Sequence, residues 1–320
     1  MTHTLSARAE RSRARRTIAT RLALRYDGVV PRRLLARAGI DHDFIARQVR
    51  QERWRMHGHQ TVAVHTGPLS ETADRWRCLW EVGHLIAVLD GVTSLAVAGL
   101  RSFDDAQVHV SVMHGCRPPR VGGVRLHRVV RRVEDEVLDA GIPRTKPAVA
   151  AARAAAWART NRQAALILAL TVQQGIAPAM EVLAAAEVIS SRRRRRFIRA
   201  TLRDLAGGAH SLGELDFSAL CRRRGLPEPS RQEMRQLPSG RIYLDVRWEE
   251  SSLVVEIDGI QHAAGLAPTA DDFRQNDIML GGDHVLRMTT LGLRLEPDRF
   301  MDQVCAAYER FRRLPMTLPG

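Results

Sequence analysis

Lysine is nearly missing from this 320-residue chain: Lys146 is the only one among 49 basic residues, and the other 48 are arginines. The ratio is what the codons of a GC-rich genome would write. Cysteine is scarce as well. Cys78, Cys116, Cys221 and Cys305 lie far apart with no C-x-x-C pair, which argues against a zinc site and against a disulfide framework. No apolar run approaches the roughly 20 residues of a membrane-spanning helix, since the longest, Ala164 to Val172, is closed by Gln173 and Gln174. The N-terminal stretch has no apolar core after its basic residues, and Ser6 to Arg16 contains Glu10. A secretory leader is therefore not expected, and a soluble cytoplasmic protein with no membrane partner is. No repeat of solenoid period is present.

What the chain does have is an ordinary globular balance, 45% hydrophobic and 26% charged, which excludes wholesale disorder. Its length exceeds what one core usually supports, so an α/β multidomain chain is expected. A net charge of +14 points to polyanions, nucleic acid first. The charge is uneven: residues 1–70 hold 14 basic and 5 acidic residues, 71–209 hold 21 and 13, and 210–320 hold 14 and 17. Three regions with these boundaries are expected.

In 1–70, Ile18, Leu22 and Tyr26 recur at helical spacing, and Gly28-Val29-Val30 breaks the pattern. Pro31 can open a second helix through Leu34 and Leu35, which Gly39 ends. Asp41 or Asp43 caps a third carrying Phe44, Ile45 and Val49. Arg47, Arg50, Arg53 and Arg55 follow, Trp54 begins a strand as a core residue, and Thr61 to Val64 returns. Region 71–209 reads as mostly helical with a short strand pair, Val108 to Met113 and Val124 to Val129. His84, His109, His114 and His127 lack ligand spacing and read as packing or surface residues. The run Arg192 to Arg196 lies in a helical pattern, where it can be a solvated face or a phosphate contact.

Residues 210–320 read as αββαβα. Ser211 caps a helix ended by Gly225 and Pro227, followed by strands Arg241 to Arg247 and Leu253 to Asp258. A helix near 271–280, a strand His284 to Met288 and a helix Pro297 to Arg313 complete the order. Alternation sets Glu256 and Asp258 on one face, and the hairpin through Trp248 to Ser252 can bring Asp245 beside them. Three clustered carboxylates repel unless a cation neutralises them, and hard oxygen donors suit Mg²⁺ or Mn²⁺. A solvent-facing hairpin edge is the other reading of the same three acids. Glu214, three residues after Ser211, fits a capping box equally well.

Two resemblances follow from these residues. "GVVPRRLLARAGIDHDFIARQVRQERWRMHGHQTVAVHTGP" resembles the winged-helix domain of abortive-infection (type IV toxin–antitoxin) antitoxins. That implies DNA binding through the third helix by Arg47, Arg50, Arg53 and Arg55. "SLGELDF", "RIYLDVRW", "LVVEIDGIQH", "DDFRQNDIML" and "GGDHVLRMT" resemble the PD-(D/E)XK nuclease superfamily, in its very-short-patch-repair-like branch. The resemblance implies a restriction-endonuclease-like domain and metal-dependent phosphodiester hydrolysis on DNA, with RNA a weaker option. Asp245, Glu256 and Asp258 would hold Mg²⁺ or Mn²⁺, and Glu214 would approach as a ligand or through water. Asp258 stands where the superfamily has its lysine and cannot stabilise an anion, so Gln261, His262 or Arg274 would supply the positive or hydrogen-bonding partner. The alternative is a non-catalytic DNA-binding regulator of antitoxin type with a degenerate nuclease fold.

Overall fold

The protein is seen here in a computed structural model that describes residues 2–189, 191, 193–207, 213–237, 240–258 and 284–313. The chain is mixed α/β with three small sheets. Among the described residues no helix is long and apolar enough to cross a membrane. Two compact units are present, one of residues 1–154 with 188–191, the other of 155–187 with 192–320.

The first unit starts with α1 (Thr2–Leu24), β1 (Val29–Pro31), α2 (Arg32–Arg37), α3 (His42–Arg50), β2 (Arg55–Met56) and β3 (Thr61–Ala63). The strands form an antiparallel sheet in the order β1-β3-β2. Ala19, Ala23, Leu35, Ile40, Phe44, Ile45, Trp54 and Val62 make its core, with the Trp54 ring edge-on to Phe44 at 5.7 Å. Asp41 is the residue that caps α3, accepting from the Phe44 N–H at 2.7 Å, and that bond lowers its pKa. Helix α1 extends to Thr2, well before the apolar spacing that begins at Ile18. Its residues 2–17 carry no apolar stripe, so periodicity could not reveal them.

Next come α4 (Glu71–Gly83), β4 (Val88–Leu89), α5 (Gly91–Val97), β5 (Val108–Met113), β6 (Val124–Val129), β7 (Val137–Leu138), β8 (Arg144–Thr145) and α6 (Pro147–Trp157). The two six-residue strands fall where the sequence puts them and pair in parallel. Helices remain the commoner element of residues 71–209, and the expected strand pair is extended: β4, β7 and β8 complete a five-stranded sheet, β6-β5-β4-β8-β7. Strands of two residues leave no alternation to read.

A network of buried charges crosses this sheet. Asp90 is fully buried and caps α5, accepting from the Gly91 N–H at 2.7 Å. Arg153, 4% exposed on α6, donates to Asp90 at 2.9 Å and grips both oxygens of buried Glu136 at 2.8 Å. Arg132 adds a bond to Glu136 at 2.9 Å and two to Ser111 at 3.1 Å. Burial alone would raise the Glu136 pKa, but the bonds from Arg153, Arg132 and the Val133 N–H outweigh it and hold the pKa down.

The second unit contains α7 (Asn161–Gln173), most of α8 (Ala179–Val188), and α9 (Arg195–Gly207). Of the arginine run, Arg195 and Arg196 lie in α9 as expected, whereas Arg193 and Arg194 form a turn before it, and Arg192 lies outside the described residues. Arg194 takes a left-handed φ of 55° just before α9 and donates to the carbonyls of Ala156 and Arg159 and to Asn161 Oδ1. That ties α9 to the α6–α7 turn.

There follow α10 (Gly213–Arg223), β9 (Ser230–Leu237), β10 (Gly240–Trp248), β11 (Leu253–Asp258), β12 (His284–Thr289), α11 (Thr290–Leu295) and α12 (Pro297–Phe311). Strands β9, β10 and β11 run antiparallel in turn and β12 lies parallel to β11, giving the order β12-β11-β10-β9. Strand β9 and helix α11 are additions to the expected order. The sequence of β9, SRQEMRQL, is polar except for Met234 and Leu237, as an edge strand held by backbone pairing can be. The helix expected near 271–280, and Ser211, lie outside the described residues. Phe217, Leu220 and Cys221 of α10 and Met301, Val304 and Tyr308 of α12 cover one sheet face through Trp248, whose Nε1 donates to the Pro227 carbonyl at 2.9 Å.

Replacing Arg153 with Met strands two buried carboxylates without their main cation. Urea unfolding of the first unit should show a loss of about 3–5 kcal/mol at pH 7. The Glu136 pKa is depressed, so its contribution is present above the unfolded value near 4.5 and fades as pH falls below it. The wild-type excess over the Arg153→Met chain should therefore shrink toward pH 3.

Candidate functional site

Alternation along the C-terminal sheet separates two sets of residues. Leu253, Val255 and Ile257 of β11 join Val246 and Trp248 of β10 and Met288 of β12 in the core. Val254 and Glu256 therefore face the other way, and so does Arg287, the residue between Leu286 and Met288. Burying a carboxylate on an inner strand is costly unless its charge is met. Glu256 is 3% exposed. Its direct neighbour in the parallel register is Arg287, whose Nε lies 3.0 Å from Glu256 Oε2.

The backbone brings the other expected acids close in sequence register. Val246 pairs with Val255, so Asp245 and Glu256 are the next residues along the antiparallel pair. Asp258 pairs with Thr289, two places beyond Glu256 on the same strand. Glu214 is the second residue of α10, a helix that packs on the opposite, apolar side of the sheet. Gln261, His262 and Arg274 lie outside the described residues.

Among the described residues no group of three or more His, Cys, Asp and Glu side chains is placed to hold a metal ion, and the Asp245 and Asp258 side chains are not among those described. By type the donors fit: Glu256 is a hard oxygen donor removed from water, and the strand positions beside it carry two more carboxylates. By charge, Glu256 already has a guanidinium. Arg247, a buried arginine on the same face, has its own partner in Glu249 at 3.6 Å.

The basic residues expected to meet nucleic acid lie on three consecutive pieces of backbone. Arg47 and Arg50 belong to α3, Arg53 to the turn after it and Arg55 to β2. Arg50, Arg53 and Arg55 are exposed, while Arg47 is half-buried with its guanidinium 5.6 Å from the Phe44 ring. None of the four forms an ion pair with a described carboxylate. The β2–β3 hairpin beside them is anchored: Glu81 of α4 accepts from the N–H groups of His59 and Gln60 at 2.8 Å and from the Thr61 hydroxyl at 2.7 Å. Gly58 sits over that carboxylate at φ 122°, where a Cβ would come within 2.4 Å of it. Behind the hairpin, Tyr26 packs edge-on to Trp76 and Trp80, so α4 and the hairpin form one body.

Two of the four isolated histidines meet. His127 Nε2 lies 3.3 Å from His109 Nδ1, and His109 Nε2 lies 3.2 Å from Asp105. Desolvation first, then His109 and Arg125, push the His127 pKa down to about 3. Burial also lowers His109, against the pull of Asp105.

Reasoning from sequence missed Arg287 and Glu81. The signal for Arg287 was its place in the β12 alternation, opposite the apolar residues. Glu81 left none, because its partners are two main-chain N–H groups and the Thr61 hydroxyl, 20 to 22 residues away.

Fold and site together define a multidomain mixed α/β protein with an exposed arginine face in one unit and a buried carboxylate–guanidinium pair in the other. No protein-family model matches the chain, and comparison with curated proteins gives no match. Among solved structures it is similar to the RV2827C protein from Mycobacterium tuberculosis, at 15% identity and a TM-score of 0.41, over 59% of this chain and 79% of that one.

The histidine pair gives a pH signature. His127 is held neutral in the fold with a pKa far below the ordinary 6.5, so stability is fully present above about 6.5 and is lost as pH falls toward 3. The urea midpoint of the first unit should drop between pH 7.5 and 5, and His127→Gln should flatten that drop. An equal drop in the variant would show that other groups carry it.

Proposed function

We propose that this protein is a metal-dependent endonuclease that hydrolyses DNA phosphodiester bonds. In this reading a basic winged-helix module in residues 1–70 delivers the duplex to a restriction-endonuclease-like domain in 210–320. One observation carries it: a carboxylate, Glu256, is buried on an inner strand beside the positions of Asp245 and Asp258, on the sheet face away from the apolar core. Strand interiors rarely hold acids for stability, so such a grouping favours chemistry. The antiparallel β9-β10-β11 run with β12 parallel to β11 supports the same reading, and so do the resemblances in sequence.

Asp245, Glu256 and Asp258 would hold Mg²⁺ or Mn²⁺. When bound, the ion supplies positive charge against the phosphate and acidifies a water. The protein's own part is to fix Glu256 on a paired strand and to keep bulk water from it. Asp258, in place of the usual lysine, can accept a proton but gives no support to developing negative charge. Gln261, His262 and Arg274 are the residues proposed for that support. Arg50, Arg53 and Arg55 are exposed without acidic partners, which suits them to phosphate contact, and α3 is the element that would enter a major groove.

A second reading, a non-catalytic DNA-binding regulator of antitoxin type, is favoured by the Glu256–Arg287 pair, which satisfies the buried charge with no ion at all. The two readings part on supercoiled plasmid with Mg²⁺ or Mn²⁺. The enzyme should nick it, and Asp245→Ala and Glu256→Ala should each lower the rate on the order of a hundredfold or more. Salt-sensitive binding without nicking selects the regulator. In either reading, replacing Arg50, Arg53 and Arg55 with Ala should reduce the slope of log affinity against log salt by roughly 2 to 3; an unchanged slope removes α3 and β2 from the interface.

A further inference from the structure

We propose that Arg287 is the resident counter-ion of the metal site: it occupies the cation's place at Glu256, a divalent ion must displace it to bind, and the displaced guanidinium then faces the phosphate. This rests on reading the C-terminal sheet as a metal-dependent nuclease fold, and it assigns a role to a residue outside the acidic set. The register is the first ground. Arg287 and Glu256 are direct lateral neighbours on parallel strands, so their side chains share a face, and Nε lies 3.0 Å from Oε2.

Exposure is the second ground. The Glu256 side chain is 4% exposed and that of Arg287 30%, and β12 is an edge strand of the described sheet. The carboxylate is the more deeply buried partner, and the arginine, on the edge strand, is the one with part of its side chain in solvent, although its Nε and Nη2 are shielded. Neither Nε nor Nη2 makes a hydrogen bond to a described acceptor, so the contact with Glu256 is an ion pair by distance without hydrogen-bond alignment. The pairing with Glu256 does not exhaust the guanidinium, and a phosphate oxygen is the kind of acceptor such a donor takes.

Charge is the third. A guanidinium keeps its proton throughout the working pH range, so it competes with a metal ion at every pH and only movement removes it. Arg247 is engaged with Glu249, and Asp258 supplies negative charge where the superfamily's lysine would supply positive. Arg287 is the cation whose ion pair with Glu256 is described on this face.

The test titrates the full-length chain with Mn²⁺ alone, reading free ion by electron paramagnetic resonance. Arg287→Gln should bind Mn²⁺ at least about tenfold more tightly than wild type, because it removes a like charge beside the ligand. Arg287→Lys should stay near wild type, and Glu256→Gln should lose the site. Equal or weaker binding by Arg287→Gln, with Glu256→Gln still defective, overturns the counter-ion role and leaves the metal reading standing. No Mn²⁺ binding by any of these chains, or binding that ignores Glu256→Gln, overturns both. A measurement on the wild type guards against misfolding of the variants: saturating Mg²⁺ should shift the Arg287 Nε–H resonance in an NMR spectrum. A resonance that stays in place while Mg²⁺ binds shows that the pair is permanent and the proposal wrong.

Discussion

An ionised carboxylate taken out of water must have a cation beside it, and this chain has almost no lysine with which to provide one. Asp90, Glu136 and Glu256 are all buried, and each lies against a guanidinium. Arginine suits the task because its planar fork can reach two oxygens at once and its hydration is weaker than that of an ammonium group. Arg153 uses this fully, meeting both oxygens of Glu136 while reaching Asp90. Arginine therefore serves the interior as well as the surface.

The two buried clusters differ in how completely they are closed. Around Arg153 every named donor and acceptor is matched from several elements, which gives a rigid joint between α6, α5 and the five-stranded sheet. Around Glu256 the described ion pair comes from the neighbouring edge strand β12. An ion pair supplied from an edge strand can be rearranged without unfolding the domain. The contrast supports the proposal that places chemistry at the second cluster.

Local features were legible in the sequence, and distant ones were not. A cap at Asp41 or Asp43, Trp54 as a core residue and the six-residue strands at 108–113 and 124–129 all follow from spacing within a dozen residues. The polar edge strand at 230–237 and the unpatterned start of α1 could not be found that way, because neither has an apolar face to announce it. The ion pairs that organise each unit join residues 63 apart, as Asp90 with Arg153, or 31 apart, as Glu256 with Arg287. Only strand order and register bring them together. The acidic grouping itself was visible through alternation, whereas its guanidinium partner depended on knowing which strand lies next to β11.

The grip of Glu81 on the β2–β3 hairpin changes what kind of object that hairpin is. A loop whose amides are already bonded has little freedom left to surrender when it meets a partner, so the ordering that a mobile finger would undergo at the moment of binding has taken place during folding. The exposed arginines on either side of it are then carried as fixed points on a single rigid body that includes α4. Selectivity for a partner would come from how well that preset spacing matches the spacing of the partner's charges, since the hairpin cannot readjust to improve a poor fit.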